Sequence, residues 1–178
     1  MTTPTTTVEA RAPHTLLWVV AAAGLVVHVW AAWRGFFHMD DYFYLAEASQ
    51  PFGEYVLQIY NGHLMPAEFA VVWISQALAP MSWPLAVLVI SSMWAVTLFA
   101  AGMLQRLLFR GSAWGIVTVM MLAFAPLLTT VTVWYASALQ ILPWAATFMG
   151  TLYFAARHAQ DPRWRWLIAG AATFVVGL

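Results

Sequence analysis

Apolar residues run along this chain in long blocks, and the polar residues gather in the gaps between them. Four blocks, Leu16 to Trp33, Pro84 to Leu104, Ala113 to Val133 and Ala138 to Ala156, approach the roughly 20 helical residues that cross about 30 Å of hydrocarbon. With flanking residues they predict spans at about 16–34, 84–105, 113–133 and 138–156. The first is longer than a signal-peptide core and ends in aromatics instead of a small-residue cleavage site, so it reads as an uncleaved helix. A fifth block, 166–178, is "WLIAGAATFVVGL", too short to cross and without a polar face or a closing anchor. The pattern predicts an all-α, polytopic integral membrane protein with four full spans plus a truncated fifth, the N-terminal part of a longer protein.

Between the first two spans, residues 35–83 contain an apolar stretch, Pro66 to Pro80, too short to span readily. Charge placement decides its status. If it does not cross, Arg11, Arg106, Arg110, Arg157, Arg163 and Arg165 all fall on the cytoplasmic side, and only Arg34 lies outside. Asp40, Asp41, Glu47, Glu54 and Glu68 then share one large outer loop, 35–83. Within it, Pro66 suits a first helical position and Glu68 the positive first turn, which predicts an interfacial helix about 21 Å long. Glu68, Ser75 and Gln76 share one face of that helix. A second amphipathic piece over 39–49 places Asp40, Tyr44 and Glu47 together, and "PFGEYVLQIYNGH" joins the two. The expected location is the plasma membrane, with the N-terminus cytoplasmic.

Composition sharpens this picture chiefly by exclusion. The chain is 63% hydrophobic and 8% charged, with zero net charge and no cysteine. Disulfides, thiolate metal sites and cysteine nucleophiles are therefore excluded, and no basic patch exists to hold nucleic acid. Residues 1–13, Thr-rich and punctuated by proline, predict a disordered cytoplasmic tail ahead of a module covering 14–178. Trp30, Trp33, Trp83 and Trp134 fall at outer span ends, and Trp114 and Trp164 at inner ones, as an aromatic belt does. Pro126 and Pro143 lie inside spans and predict kinks.

Candidate chemistry concentrates in "RGFFHMDDYFYLAEASQ", residues 34–50. The adjacent Asp40 and Asp41 either mark the water boundary, or one serves as general base toward an acceptor hydroxyl, or they ligate a divalent cation. His38 and His63 are further donors for such a cation, although the spacing matches no known ligand motif. Arg34 is read either as a snorkelling anchor or as a holder of lipid phosphate. His28, within the first span, predicts a neutral residue facing another helix.

The order of motifs resembles the N-terminal part of GT-C superfamily membrane glycosyltransferases of the protein O-mannosyltransferase and aminoarabinose transferase type. The matching residues read "MDDYFYL" (39–45), "NGHLMPAEF" (61–69), "LQRLLFRGSAWG" (104–115), "AFAPLLTTVTVWYASALQ" (123–140) and "RHAQDPRWRW" (157–166). The pattern is also similar to that of uncharacterised actinobacterial members of the superfamily. The resemblance implies transfer of a sugar from a polyprenyl-phosphate-linked donor to an acceptor on the outer face. It implies Asp40 or Asp41 as base, the other acid shaping the site or a metal, and His63 near the donor. Arg34, His63, Glu68 and Tyr135 are the candidate substrate-binding residues, and Asp40, Asp41 and His63 the candidate metal ligands. The chain departs from the family where an acid or arginine follows "WYS"; here stand Ala138, Leu139 and Gln140. That departure, with the short length, motivates a second expectation, a non-catalytic assembly subunit or lipid-binding partner with the same fold; a third, a transporter, rests on polar residues near mid-membrane, to which only His28 and Gln140 come close. Membrane lipids, remaining C-terminal spans or a partner subunit are the expected associates.

Overall fold

The computed structural model describes residues 14–110 and 112–177, so the expected tail 1–13 lies outside the described residues. These fold as helices throughout except for one two-stranded hairpin. In chain order they are α1 (His14–Trp33), α2 (Asp40–Glu47), α3 (Phe52–Val56), β1 (Ile59–Tyr60), β2 (His63–Leu64), α4 (Pro66–Leu78), α5 (Trp83–Phe109), α6 (Ala113–Phe124), α7 (Leu128–Val133), α8 (Tyr135–Gln160) and α9 (Trp164–Val176). The expectation of an all-α fold thus holds. α1 and α5 are long and apolar enough to cross a membrane.

The other expected spans differ in particular ways. The block 113–133 is not one helix: α6 ends at Phe124 and α7 begins at Leu128, because Pro126 supplies no amide and biases Ala125 to extended backbone, φ −64°, ψ 119°. α8 has spanning length at 26 residues and runs through Pro143 as one helix, but with Gln140, Arg157 and His158 aboard it is less apolar than α1 or α5. α9 has 13 residues.

α5 is the central element, packed against α1, α6 and α8, while α9 packs on α8. Its buried stripe, Trp83, Val87, Ile90, Trp94, Leu98 and Ala101, recurs every three or four residues, so one face of the helix is committed to neighbours. Ser82 starts the helix by accepting a hydrogen bond from the Leu85 amide at 3.4 Å, and Pro84 lies in the first turn. α1 offers Leu17, Ala21, Gly24, His28 and Ala32 on its buried side, and Gly24 meets Ala123 of α6 so closely that a Cβ there would collide.

A polar junction fastens α1, α5 and α7. His28 Nδ1 lies 2.8 Å from Thr132 Oγ1, Trp94 Nε1 donates to the same oxygen at 3.1 Å, and the two rings stack 3.6 Å apart. His28 therefore faces other helices, as its isolation in an apolar block suggested. At the opposite end of α1 from His14, Trp83 Nε1 donates to the Ala32 carbonyl at 3.0 Å, and Gly35 admits the Trp83 ring and the Val133 carbonyl where a side chain would clash.

Residues 35–83 form a cap over this end. Pro66 opens α4 with Glu68 in the first turn, as the sequence predicts. The joining segment contains more order than expected: α3 packs on α4, and Asn61 and Gly62, at φ 49° and 82°, turn β1 back onto β2. Positive φ at both central residues is what a tight Asn-Gly hairpin turn requires. Phe69 and Val72 of α4 are buried with Tyr44 and Tyr55, and Tyr55 Oη donates to the Tyr44 carbonyl at 2.7 Å.

Candidate functional site

Successive residues of a helix point about 100° apart, so the two adjacent aspartates at the start of α2 cannot serve one site. Asp41 turns inward and is fully buried. Its Oδ2 accepts from the His38 amide at 2.8 Å, and its Oδ1 accepts from the Ala136 amide at 2.6 Å. Ala136 lies in the first turn of α8, whose own N-cap, Trp134, provides no side-chain acceptor. Asp41 therefore caps α8 from a distant part of the chain, at the positive end of that helix. Burial pushes its carboxyl above the usual range, while the amides of His38 and Ala136 act the other way.

Asp40 faces out of the helix instead. It lines a pocket of about 450 Å³ with Tyr60, Asn61 and His63 of the hairpin, Glu68 of α4 and Gln140 of α8. Four elements converge here: α2 docks on both α4 and α8, and Tyr60 of the hairpin packs edge-on against Tyr44 of α2, with ring centroids 5.0 Å apart. Gln140 is held by a hydrogen bond from its Nε2 to Tyr44 Oη at 3.0 Å. Glu68 is half-buried, and its Oε2 is shielded from solvent without a hydrogen-bond partner. Desolvation raises its carboxyl to about 7, so near neutrality this group can both take and give a proton.

The structure thus brings together Asp40, His63 and Glu68 and separates the remaining sequence candidates from them. Asp41 is corrected from base or ligand to structural cap, since both of its oxygens are occupied by backbone amides. Among the described residues no three His, Asp or Glu side chains stand as a metal-holding group, so the set Asp40, Asp41 and His63 is not assembled. Tyr135 is buried and donates from Oη to Ser75 Oγ at 3.3 Å, packing α8 against α4 and standing outside the pocket lining. Arg34 is exposed and lies over the Trp30 ring at 4.0 Å, also outside the pocket.

Sequence reasoning missed Gln140, Tyr60 and Asn61 as pocket residues. Asn61 carries a signal in the Asn-Gly pair. Gln140 stands out in the sequence as a departure from the resemblance and as a polar residue near mid-membrane, neither of which points to the pocket.

The fold and site define a helical protein with two helices suited to a membrane and an acidic pocket built by the segment between them. Comparison with family models, curated proteins and solved structures finds no match.

Proposed function

We propose that the chain is a membrane glycosyltransferase, or the N-terminal module of one, of the GT-C type, transferring a sugar from a polyprenyl-phosphate donor to an acceptor on the outer face. In this reading α1, α5, the broken α6–α7 pair and α8 each cross the membrane, and α9 begins a fifth crossing. The observation that carries it is the pocket in which Glu68 has an unpartnered, desolvated oxygen beside Asp40 and His63.

The chemistry follows from those groups. Glu68 takes the proton of the acceptor hydroxyl, the freed oxygen bonds to the anomeric carbon, and the bond from that carbon to the phosphate oxygen breaks, its electron pair leaving with the polyprenyl phosphate. Asp40 accepts a hydrogen bond from the acceptor and orients it, and His63, Asn61 and Gln140 hydrogen-bond the sugar. No step is assigned to a metal ion.

Transfer from a radiolabelled polyprenyl-phosphate sugar by membranes containing the chain is the test. E68Q is expected to lower the rate at least about 100-fold, in the range typical of losing a general base. D40N is expected to lower it with unchanged protein level. Full activity in both variants sinks the reading. A second reading, a non-catalytic assembly or lipid-binding subunit, is favoured by one observation: no arginine is among the pocket's lining residues, so the donor phosphate meets no guanidinium there. That reading predicts no transfer by wild type and retention of a partner subunit on affinity purification.

A further inference from the structure

At the far end of α1 and α5 from the acidic pocket lies a second cavity, of about 430 Å³. His14 of α1, Arg106 of α5, Arg110 at its C-cap and Tyr153 of α8 line it, with Met103 and Leu107 as its apolar wall. We propose that this cavity binds a phosphate-bearing anion, and specifically the headgroup of an anionic membrane lipid. The proposal is independent of the glycosyl-transfer reading.

Position is the first argument. From Trp83 to Arg106, α5 rises about 35 Å, roughly one hydrocarbon thickness, so the two pockets belong to opposite membrane surfaces. The second argument is convergence. Arg106 lies in the last turn of α5, Arg110 is the left-handed residue (φ 47°, ψ 33°) that closes the helix, and a histidine and a phenol from two other helices line the same space. Together they offer guanidinium, imidazole and hydroxyl donors, the set that phosphate oxygens accept from.

Charge balance is the third argument. On the same side of the molecule, Arg163 and Arg165 are answered by Asp161, at 2.8 Å and 3.9 Å. Among the described residues no carboxylate stands within 4.0 Å of Arg106 or Arg110 in the same way. Simple marking of the cytoplasmic side needs arginines but does not require them to share a cavity. The fourth argument selects a lipid over a soluble anion. Met103, about one turn inside Arg106 on α5, carries the cavity wall toward the membrane interior, Leu107 adds apolar surface between the two arginines, and the Arg106 guanidinium lies 6.0 Å from the Trp18 ring. A basic mouth above an apolar wall matches a ligand that is charged at one end and apolar at the other.

Native mass spectrometry of the full chain in detergent, titrated with dioleoyl phosphatidylglycerol or dioleoyl phosphatidylcholine, reads the occupancy directly. One phosphatidylglycerol per chain is expected, with R106Q or R110Q each weakening it about fivefold and the double variant abolishing it, while R163Q/R165Q leaves it unchanged. Equal binding of phosphatidylcholine, or equal loss in R163Q/R165Q, overturns the site in favour of general surface attraction. Displacement of the lipid by excess inorganic phosphate at matching affinity assigns the site to a soluble anion and overturns the lipid. If the double variant elutes as aggregate, the single variants and Y153F decide, and undiminished binding in all three overturns the proposal.

Discussion

Asp40 and Asp41 are chemically identical neighbours with opposite duties, and their separation is a matter of helix geometry. Replacing Asp41 by Asn sets an amide NH2 against one of the two backbone N–H groups it now satisfies. A cap loss of about 1–2 kcal/mol is expected, seen as a lower midpoint of detergent-induced unfolding for D41N but not for D40N. Equal midpoints for D41N and wild type would remove the capping role. Glu68 makes a prediction with a definite sign. Its folded carboxyl sits at about 7 against an ordinary 4.5, so the folded state holds the proton more tightly than the unfolded one. The stability this contributes is full below about pH 4.5 and is lost as pH rises through about 7. E68Q should flatten the thermal midpoint across that window, and a wild-type midpoint that rises with pH there would contradict the burial argument. On the proposed glycosyl-transfer reading, activity should in contrast rise through the same window, because Glu68 acts as base only when ionised.

At the scale of elements, the helices meet through small contact residues and a few polar knots, the pattern that suits helices in lipid, where apolar surface gains little by moving against protein. The His28, Trp94 and Thr132 junction is the best defined of these knots. Thr132→Val keeps the volume and removes the shared oxygen, leaving His28 and Trp94 unanswered inside the bundle. A loss of about 1 kcal/mol is expected in reversible detergent unfolding. No loss would mean that His28 and Trp94 find other partners. The helix start at Pro66 is legible in the sequence, because proline acts there through local backbone chemistry, whereas the Ser82 cap that opens α5 comes into view only in the structure. The division of 113–133 is legible only as a kink. Whether a proline bends a helix or ends it depends on what satisfies the freed carbonyls, which is a tertiary matter.

For the whole molecule, arginine placement predicts an orientation, and the absence of cysteine in the chain makes it easy to test. Single cysteines introduced at Asn61 and Gln160, both exposed, should react differently with a membrane-impermeant maleimide in intact cells. N61C is expected to label at once and Q160C only after permeabilisation. The reverse pattern would invert the topology, and equal labelling would deny a membrane between the two sites.

Block length, charge and the helix start at Pro66 are open to reading from the sequence, because each is set by residues near one another along the chain. So are the helix α4 and the grouping of acids between α1 and α5. Of the pocket, the sequence points to Asp40, His63 and Glu68, but it points equally to Asp41, Tyr135 and Arg34, and nothing local separates the first three from the second. That separation needs the docking of α2 onto α4 and α8, which turns Asp40 to the cavity and Asp41 to the end of a helix that begins only at Tyr135. Gln140 enters the pocket by the same docking. Side-chain identity limits the chemistry available, and long-range packing decides which groups meet.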